Sequence, residues 1–278
     1  MSAEPISSRY RRAFVTGASG GLGLAFSRML LAEGIHVTGT SRDIGRLKPL
    51  TKHDAFTPVA LDLGDPVRAE SVFAEAAGDA GFDLVINNAG FGLFAPFAST
   101  PYEVWQSQLD ALLGTSARLS HAALRGMLAR GRGCLVNVSS LAVEFPLPFM
   151  SGYNMAKAGL SALSESLIFE TKGTPVIVID FRPGDYRTAF NQAMQPTAVV
   201  STINDPCLER TWRALEAHLE TSPLPVAAAR DLRRALMKGR SGTVRSGSLF
   251  QARVAPFFAR LIPAGLRRAM IARYQGAA

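Results

Sequence analysis

The sequence predicts an α/β fold: a doubly wound parallel sheet flanked by helices, one domain with a helical extension at its C-terminal end. Three observations lead there. Short apolar or β-branched runs alternate with longer stretches of helical periodicity, which is the βαβ pattern of a parallel sheet. A glycine-rich turn, Gly17-Ala-Ser-Gly-Gly-Leu-Gly23, joins the first such run to the first helical stretch. At 278 residues the chain has the size of one α/β domain with a large core, and no internal repeat or low-complexity segment divides it.

Strands are expected near 12–16, 35–40, 56–61, 82–87, 133–139 and 175–181, separated by helices near 21–33, 66–77, 101–130 with a break, and 152–172. The first strand is the buried run Ala13-Phe-Val-Thr16, and the helix after it carries the apolar stretch Leu24 to Ala32. Gly131-Arg-Gly133 ends one helix ahead of its strand. Beyond 184 the alternation stops: a proline-interrupted stretch runs to about 225, a helix follows near 226–238, and Thr243 to Arg245 makes a short final strand. Residues 1–245 therefore form the main domain and 246–278 a basic amphipathic helical tail.

Between the first strand and helix, glycines at 17, 21 and 23 permit a tight turn and close backbone approach, leaving helix N-terminal amides to face a pyrophosphate. The strand-turn-helix context separates this run from an ordinary flexible loop, since its spacing is not G-x-G-x-x-G. Farther on, Tyr153 and Lys157 stand four residues apart, one helical turn, with Ser140 thirteen positions upstream of the tyrosine. A phenol with a pKa near 10 needs a shift of roughly 3 units, about 4 kcal/mol, to exchange protons near neutrality. A neighbouring lysine cation supplies a shift of that sign.

Thr16-Gly-x-x-x-Gly-x-Gly23, Asn87-Asn-Ala-Gly90, Ser140, Tyr153-x-x-x-Lys157 and Pro183-Gly-x-x-x-Thr188, in this order and spacing, resemble the short-chain dehydrogenase/reductase family over roughly residues 10 to 190. The resemblance implies a Rossmann-type domain that binds a nicotinamide dinucleotide and transfers hydride between it and an alcohol or carbonyl carbon. It also implies a homo-oligomer, dimer or tetramer, and a substrate lid at about 185–225. Tyr153 is then the acid in reduction and the base in oxidation, Ser140 orients the substrate oxygen, and Lys157 lowers the tyrosine pKa and holds the nicotinamide ribose. Ser139 competes for the serine position, but the thirteen-residue spacing favours Ser140. The cofactor is expected against Gly17, Ser19, Gly21, Leu22, Gly23, Asn88, Ala89, Gly90, Pro183, Gly184 and Thr188, with Asp62 and Leu63 at the adenine.

An acidic residue closing the second strand would bind the ribose hydroxyl and repel a 2′-phosphate. Here that residue is Ser41, followed by Arg42, whose guanidinium suits the phosphate, so NADP(H) is the expected cofactor. Asp43, one residue on, competes for the same place, and Asp62 has a second reading as a helix cap or turn residue. Similar enzymes carry an asparagine in an Asn-x-x-Gly helix segment; this chain has Asp110-Ala-Leu-Leu-Gly114, with Ala111 at that position. Either the proton path is rebuilt, through Asp110 or backbone carbonyls, or turnover is slow.

Phe91, Leu93, Phe94, Leu141, Val143, Phe145, Phe149, Met150, Tyr186, Phe190 and Met194 are expected around the substrate, and their size and apolarity suit a bulky lipophilic ketone or alcohol. Val37-Thr-Gly-Thr-Ser-Arg-Asp is also similar to the branch with 17β-hydroxysteroid and retinol dehydrogenases. Two alternatives stand beside a carbonyl reductase: a 3-oxoacyl-thioester reductase using Arg182 and Arg187 as a basic patch, and a dinucleotide-binding regulatory protein with weak or no catalysis, motivated by Ala111.

The formal charge of +8 comes from the C-terminal part of the chain: residues 232–278 hold ten Lys/Arg and no acid, leaving twenty basic against twenty-two acidic residues before them. With no nucleic-acid module or metal-ligand spacing, neither DNA, RNA nor metal is expected. The tail segments Leu249 to Ile262 and Leu266 to Tyr274 read in two ways: helices packed on the domain beside the lid or at a subunit interface, or helices lying on an anionic membrane surface. Two cysteines, Cys134 and Cys207, and no apolar leader or 18-residue apolar window point to reduced thiols and a cytoplasmic protein.

Overall fold

The computed structural model describes residues 5–188, 190, 194, 205–259 and 262–277. Parallel strands β1 (Arg12–Val15), β2 (His36–Ser41), β3 (Phe56–Ala60), β4 (Leu84–Asn87), β5 (Gly133–Val138), β6 (Val176–Pro183) and β7 (Gly242–Ser246) form one seven-stranded sheet in the order β3-β2-β1-β4-β5-β6-β7. The order reverses between β1 and β4, which opens a crevice at the carboxyl ends of the strands. Helices α1 (Gly21–Ala32), α2 (Pro66–Ala77), α3 (Tyr102–Leu109), α4 (Thr115–Arg130), α5 (Ser151–Glu170), α6 (Pro206–Glu220) and α7 (Pro225–Lys238) follow in chain order. The tail adds α8 (Ala255–Ala259) and α9 (Ala264–Tyr274).

Both faces of the sheet are covered, so the central strands are buried on each side and read as unbroken apolar runs. On one face Phe26 and Leu30 of α1 and Leu232 and Leu236 of α7 pack with Val15, Val37 and Ile179. On the other, Phe73, Leu119, Met127 and Leu167 pack with Phe14, Val85 and Val178. Local chemistry sets the ends. Asp65 accepts from Arg68 N at 2.9 Å with Pro66 at the first helical position, and Gly131 stops α4 in the left-handed conformation at φ 63. Where β4 and β5 lie side by side, buried Asn87 donates to Asn137 Oδ1 (2.9 Å) and Ser120 Oγ (3.0 Å), and Asn137 donates to Ser164 Oγ (3.0 Å). This ladder pairs the buried amide nitrogens and hydroxyls, which would otherwise be costly in the core, while among the described residues Asn87 Oδ1 has no partner.

The expected break within 101–130 is a π turn, Asp110–Gly114, that keeps the chain helical between α3 and α4. The final strand is longer than expected, because β7 pairs with β6 from Ile179↔Gly242 to Pro183↔Ser246. The tail folds back: Tyr274 stacks on His218 of α6 with ring centroids 4.2 Å apart, and Gln251 reaches Asp185 beyond β6. Among the described residues no helix is long and apolar enough to cross a membrane, and Cys134 and Cys207 are free thiols. Part of the expected lid, 189, 191–193 and 195–204, lies outside the described residues, as do Arg260 and Leu261 of the tail.

Candidate active site

The crevice at the β1/β4 reversal is a cleft of about 1230 Å³. A single-ligand pocket measures ~300–1000 Å³, so this one has room for a dinucleotide and a second molecule. Its floor is the glycine turn. Gly17 has φ +70, and a Cβ there would lie 2.9 Å from Ala89; a Cβ on Gly23 would lie 2.2 Å from Gly17 O and 2.5 Å from Asn88 Nδ2. Gly23 therefore serves helix-strand packing and is not on the cleft wall, correcting its expected place against the cofactor. Thr16 Oγ1 accepts from Asn88 N and Ala89 N, both at 2.9 Å, while Asn88 Nδ2 donates to Thr16 O at 2.9 Å. These bonds pin the Asn-Ala-Gly segment beside the glycine turn, so the two motifs, distant in sequence, form one cradle.

Gly17, Ser19, Gly21, Leu22, Asn88, Ala89, Gly90, Pro183, Gly184 and Thr188 all line the cleft. Gly20 has open space where a Cβ would be, at the N-terminal end of α1 whose amides point into the cleft's floor, so the residues present fit a pyrophosphate. At the far end stand Asp62, Leu63, Ser41, Arg42 and also Arg46, which sequence reasoning missed although it lies four residues after Arg42. Asp43 lines the same end, but its Oδ1 accepts from Gly45 N at 2.8 Å and caps the short turn Ile44–Leu47. Asp62 Oδ1 likewise accepts from Gly64 N at 2.9 Å, the turn role weighed for it.

Ser140, Tyr153 and Lys157 meet where the cradle opens into an apolar chamber. Ser140 follows β5, with its Oγ accepting from Ala142 N at 3.0 Å; Tyr153 and Lys157 share one face of α5. Ser139 is occupied elsewhere, its hydroxyl bound to the buried Asp180 carboxylate. Lys157 Nζ donates to Val138 O at 2.7 Å and lies 5.8 Å from the Tyr153 ring centre. Burial lowers the lysine pKa to about 8, with Asp180 opposing. Burial likewise pushes the Tyr153 phenol up to about 12, opposed by its hydrogen bond with Ser140 and reinforced by Asp185. The expected lowering of the tyrosine pKa by lysine does not appear in this structure: desolvation of the phenolate dominates, and the lysine, itself buried, turns to Val138 O.

Around the chamber stand Phe91, Leu141, Phe145, Met150, Tyr186, Phe190 and Met194. Tyr186 presents its ring only, since its hydroxyl bonds Ser246 Oγ at 2.6 Å. Leu93, Phe94, Val143 and Phe149 are not on the wall. Phe94 and Leu93 fill the core beneath it, Phe94 stacking near Phe149 (5.5 Å) and Trp212 (5.2 Å). The tight turn Leu141–Val143 turns its first two residues inward and Val143 away. Arg182 belongs to a buried ion network with Asp180 (2.7 Å), Glu144 (2.9 Å) and Glu165 (3.3 Å), so it is not a surface group for an acyl carrier. Ala111 lines the cleft, whereas Asp110 does not and accepts from Gln106 at 2.9 Å, which removes Asp110 as a relay. Sequence reasoning also missed Asp185, Leu215 and Leu219, and the tail residues Phe250, Gln251, Val254, Met270 and Tyr274, which wall the chamber from more than 90 residues beyond Lys157.

A family model described as short chain dehydrogenase matches residues 11–198. Among curated proteins, pig NADPH carbonyl reductase 2 is 31% identical over 202 residues, 72% of this chain and 78% of that one. Dehydrogenase/reductase SDR family member 4 of Bos taurus is 32% identical over 189 residues, covering 66% and 68% of the two chains. A short-chain dehydrogenase from Streptomyces avermitilis superposes over 95% of this chain and 96% of its own, with a TM-score of 0.78 at 26% identity. With cradle, serine, tyrosine and lysine arranged as described, the chain belongs to the short-chain dehydrogenase family, oxidoreductases that bind a nicotinamide dinucleotide.

Proposed function

We propose that this protein is an NADPH-dependent carbonyl reductase of bulky lipophilic substrates, with Tyr153 as proton donor. The observation that carries the reading is the meeting of Ser140, Tyr153 and Lys157 at the border between a glycine-floored cradle and an apolar chamber. The bound dinucleotide supplies the hydride. As charge develops on the substrate oxygen, the Ser140 and Tyr153 hydroxyls donate hydrogen bonds to it, and Tyr153 Oη gives up its proton. Burial holds the phenol protonated at neutral pH, the form that donates to the substrate oxygen. Lys157 sits beneath the phenol and adjoins Gly90, where it would hold the nicotinamide ribose.

Arg42 and Arg46 together support NADPH over NADH: two guanidiniums bracket the cleft end that would receive a 2′-phosphate, and Asp43 is engaged by Gly45. The apolar wall supports a lipophilic substrate, and the tail's part in this reading is to close that wall. A 3-oxoacyl thioester is less well served, since only Arg187 of the basic pair stays exposed. A homo-oligomer is supported by the exposed Leu128 and Phe169 on α4 and α5, beside a hollow lined by Leu124, Leu163 and Leu167. Exposed Leu249 and Leu266 with the tail arginines support contact with an anionic membrane as a second role of the same segment. The deciding experiment follows NADPH absorbance with ketosteroids, aliphatic ketones and 3-oxoacyl thioesters; binding without consumption on any of them would favour a regulatory dinucleotide-binding protein instead.

A further inference from the structure

Beyond Tyr153 the chamber wall is apolar except at one end, and among the described residues there Asp185 brings the single carboxylate. It follows Gly184, whose N–H donates to Ser246 O at 2.7 Å and fixes the turn out of β6. A Cβ on Gly184 would lie 2.8 Å from Gln251 Oε1, so the glycine admits the tail residue to this spot. Gln251 Nε2 donates to Asp185 Oδ2 at 2.6 Å, and its Oε1 faces the Asp185 N–H at 3.4 Å. Among the described residues no donor reaches Oδ1. Asp185 lines the same cleft as Tyr153 and the tail residue Tyr274.

A carboxylate taken from water into an apolar wall needs donors at both oxygens, and one neutral amide satisfies only part of that demand. Clasping the tail uses Oδ2 alone. Oδ1 is left for whatever occupies the chamber, close to where a carbonyl would meet Tyr153. Burial raises the carboxyl pKa, and the Gln251 hydrogen bond opposes that shift.

We propose that Asp185, held in place by Gln251, is the specificity-determining residue for ketones that carry a hydrogen-bond donor, a hydroxyl or an ammonium group, on the carbon next to the carbonyl. The proposal rests on the carbonyl-reductase reading and narrows its substrate class. A lipophilic body fills the apolar wall, while the donor pairs with Oδ1 on the side facing the tail. A site built to accept a hydrogen bond discriminates strongly against an analogue lacking the donor, because its own polar group is then left unpaired.

The test compares methyl naphthyl ketone with the same ketone hydroxylated or aminated on its methyl carbon, as kcat/KM with NADPH and as calorimetric binding to the NADP+-loaded enzyme. The donor-bearing ketone is expected to be favoured in both readouts, and Asp185→Leu is expected to lower its ratio to the parent ketone by roughly tenfold or more. Taking the ratio within each enzyme form cancels the intrinsic reactivity of the ketones. Asp185→Asn keeps the clasp through its amide oxygen and turns its amide nitrogen to the chamber. That nitrogen can donate to a hydroxyl but cannot pair with an ammonium, so the variant retains the preference for hydroxyl and loses that for ammonium, which separates the two donors. If turnover proceeds on all three and both ratios are unchanged in Asp185→Leu, Asp185 is only a clasp and the proposal is overturned while the reductase reading stands. If nothing turns over but donor-dependent binding is lost in Asp185→Leu, the proposal stands and the reductase reading fails. Absence of both turnover and binding overturns both. Should Asp185→Leu fail to fold, Asp185→Asn decides: unchanged hydroxyl and ammonium ratios count against the proposal.

Discussion

Lys157 occupies a place that costs the fold stability, and Lys157→Met should make the ligand-free protein more stable at neutral pH. Burial moves the ammonium pKa from an ordinary 10.5 to about 8. At 1.36 kcal/mol per pKa unit this difference is a penalty of about 3 kcal/mol. The folded-state pKa lies below the unfolded one, so the unfolded chain holds the extra proton. The penalty is therefore complete below pH 8, shrinks as pH rises from 8 to 10.5, and is gone above. Methionine keeps the apolar stem and removes the charge, but it leaves Val138 O without its 2.7 Å donor, an offset of about 1 kcal/mol. The net gain of about 2 kcal/mol corresponds to a rise in Tm of roughly 4–8 °C for a chain of this size, with loss of activity. Thermal unfolding of both forms from pH 7 to 10.5, followed by circular dichroism, checks it. A variant that melts at or below the wild type at pH 7, or a gap that does not close with rising pH, would refute the reasoning.

Arg42→Ala should lower the preference for NADPH over NADH by about tenfold, and adding Arg46→Ala by a similar factor again, as measured by the ratio of the two Kd values; an unchanged ratio places the phosphate elsewhere. Ala111→Asn should raise the rate of the chemical step with a changed solvent isotope effect if a missing polar group limits proton transfer, and should leave both unchanged if the relay already runs by another route. A chain ending at Gly247 loses Gln251 and the tail side of the chamber, so KM for a lipophilic ketone should rise by about tenfold or more while NADPH affinity is held. Sedimentation of both lengths with anionic and neutral vesicles separates the tail's second role: salt-sensitive binding to anionic vesicles by the full chain alone supports it, and full-length protein left in the supernatant at low salt rules it out.

The sheet was legible because each strand is a short apolar run closed by a turn signal, and the cradle because its glycines sit where strand meets helix. The π turn at Asp110–Gly114 was not, since a widened helical turn leaves the same periodicity as a break. Ser140 was separable from Ser139 by spacing alone, and the Ser139–Asp180 contact gives the physical reason: one hydroxyl is committed to the core. Phe94 and Val143 were misassigned to the wall because an apolar residue beside a motif reads the same whether it faces a cavity or the core below it. The tail's share of the site left no local signal. Gln251 meets Asp185 across 66 positions, and only the fold brings them together.

Consumption of NADPH by wild type and by Tyr153→Phe, alongside NADPH binding to each, tests the central claim most directly. The hydroxyl is the assigned proton donor but a small part of a large cofactor interface. The account predicts turnover of a lipophilic ketone by the wild type, loss of turnover in Tyr153→Phe by a factor of roughly 100 or more, and an NADPH Kd that stays within a few-fold. Retained activity in Tyr153→Phe would contradict it.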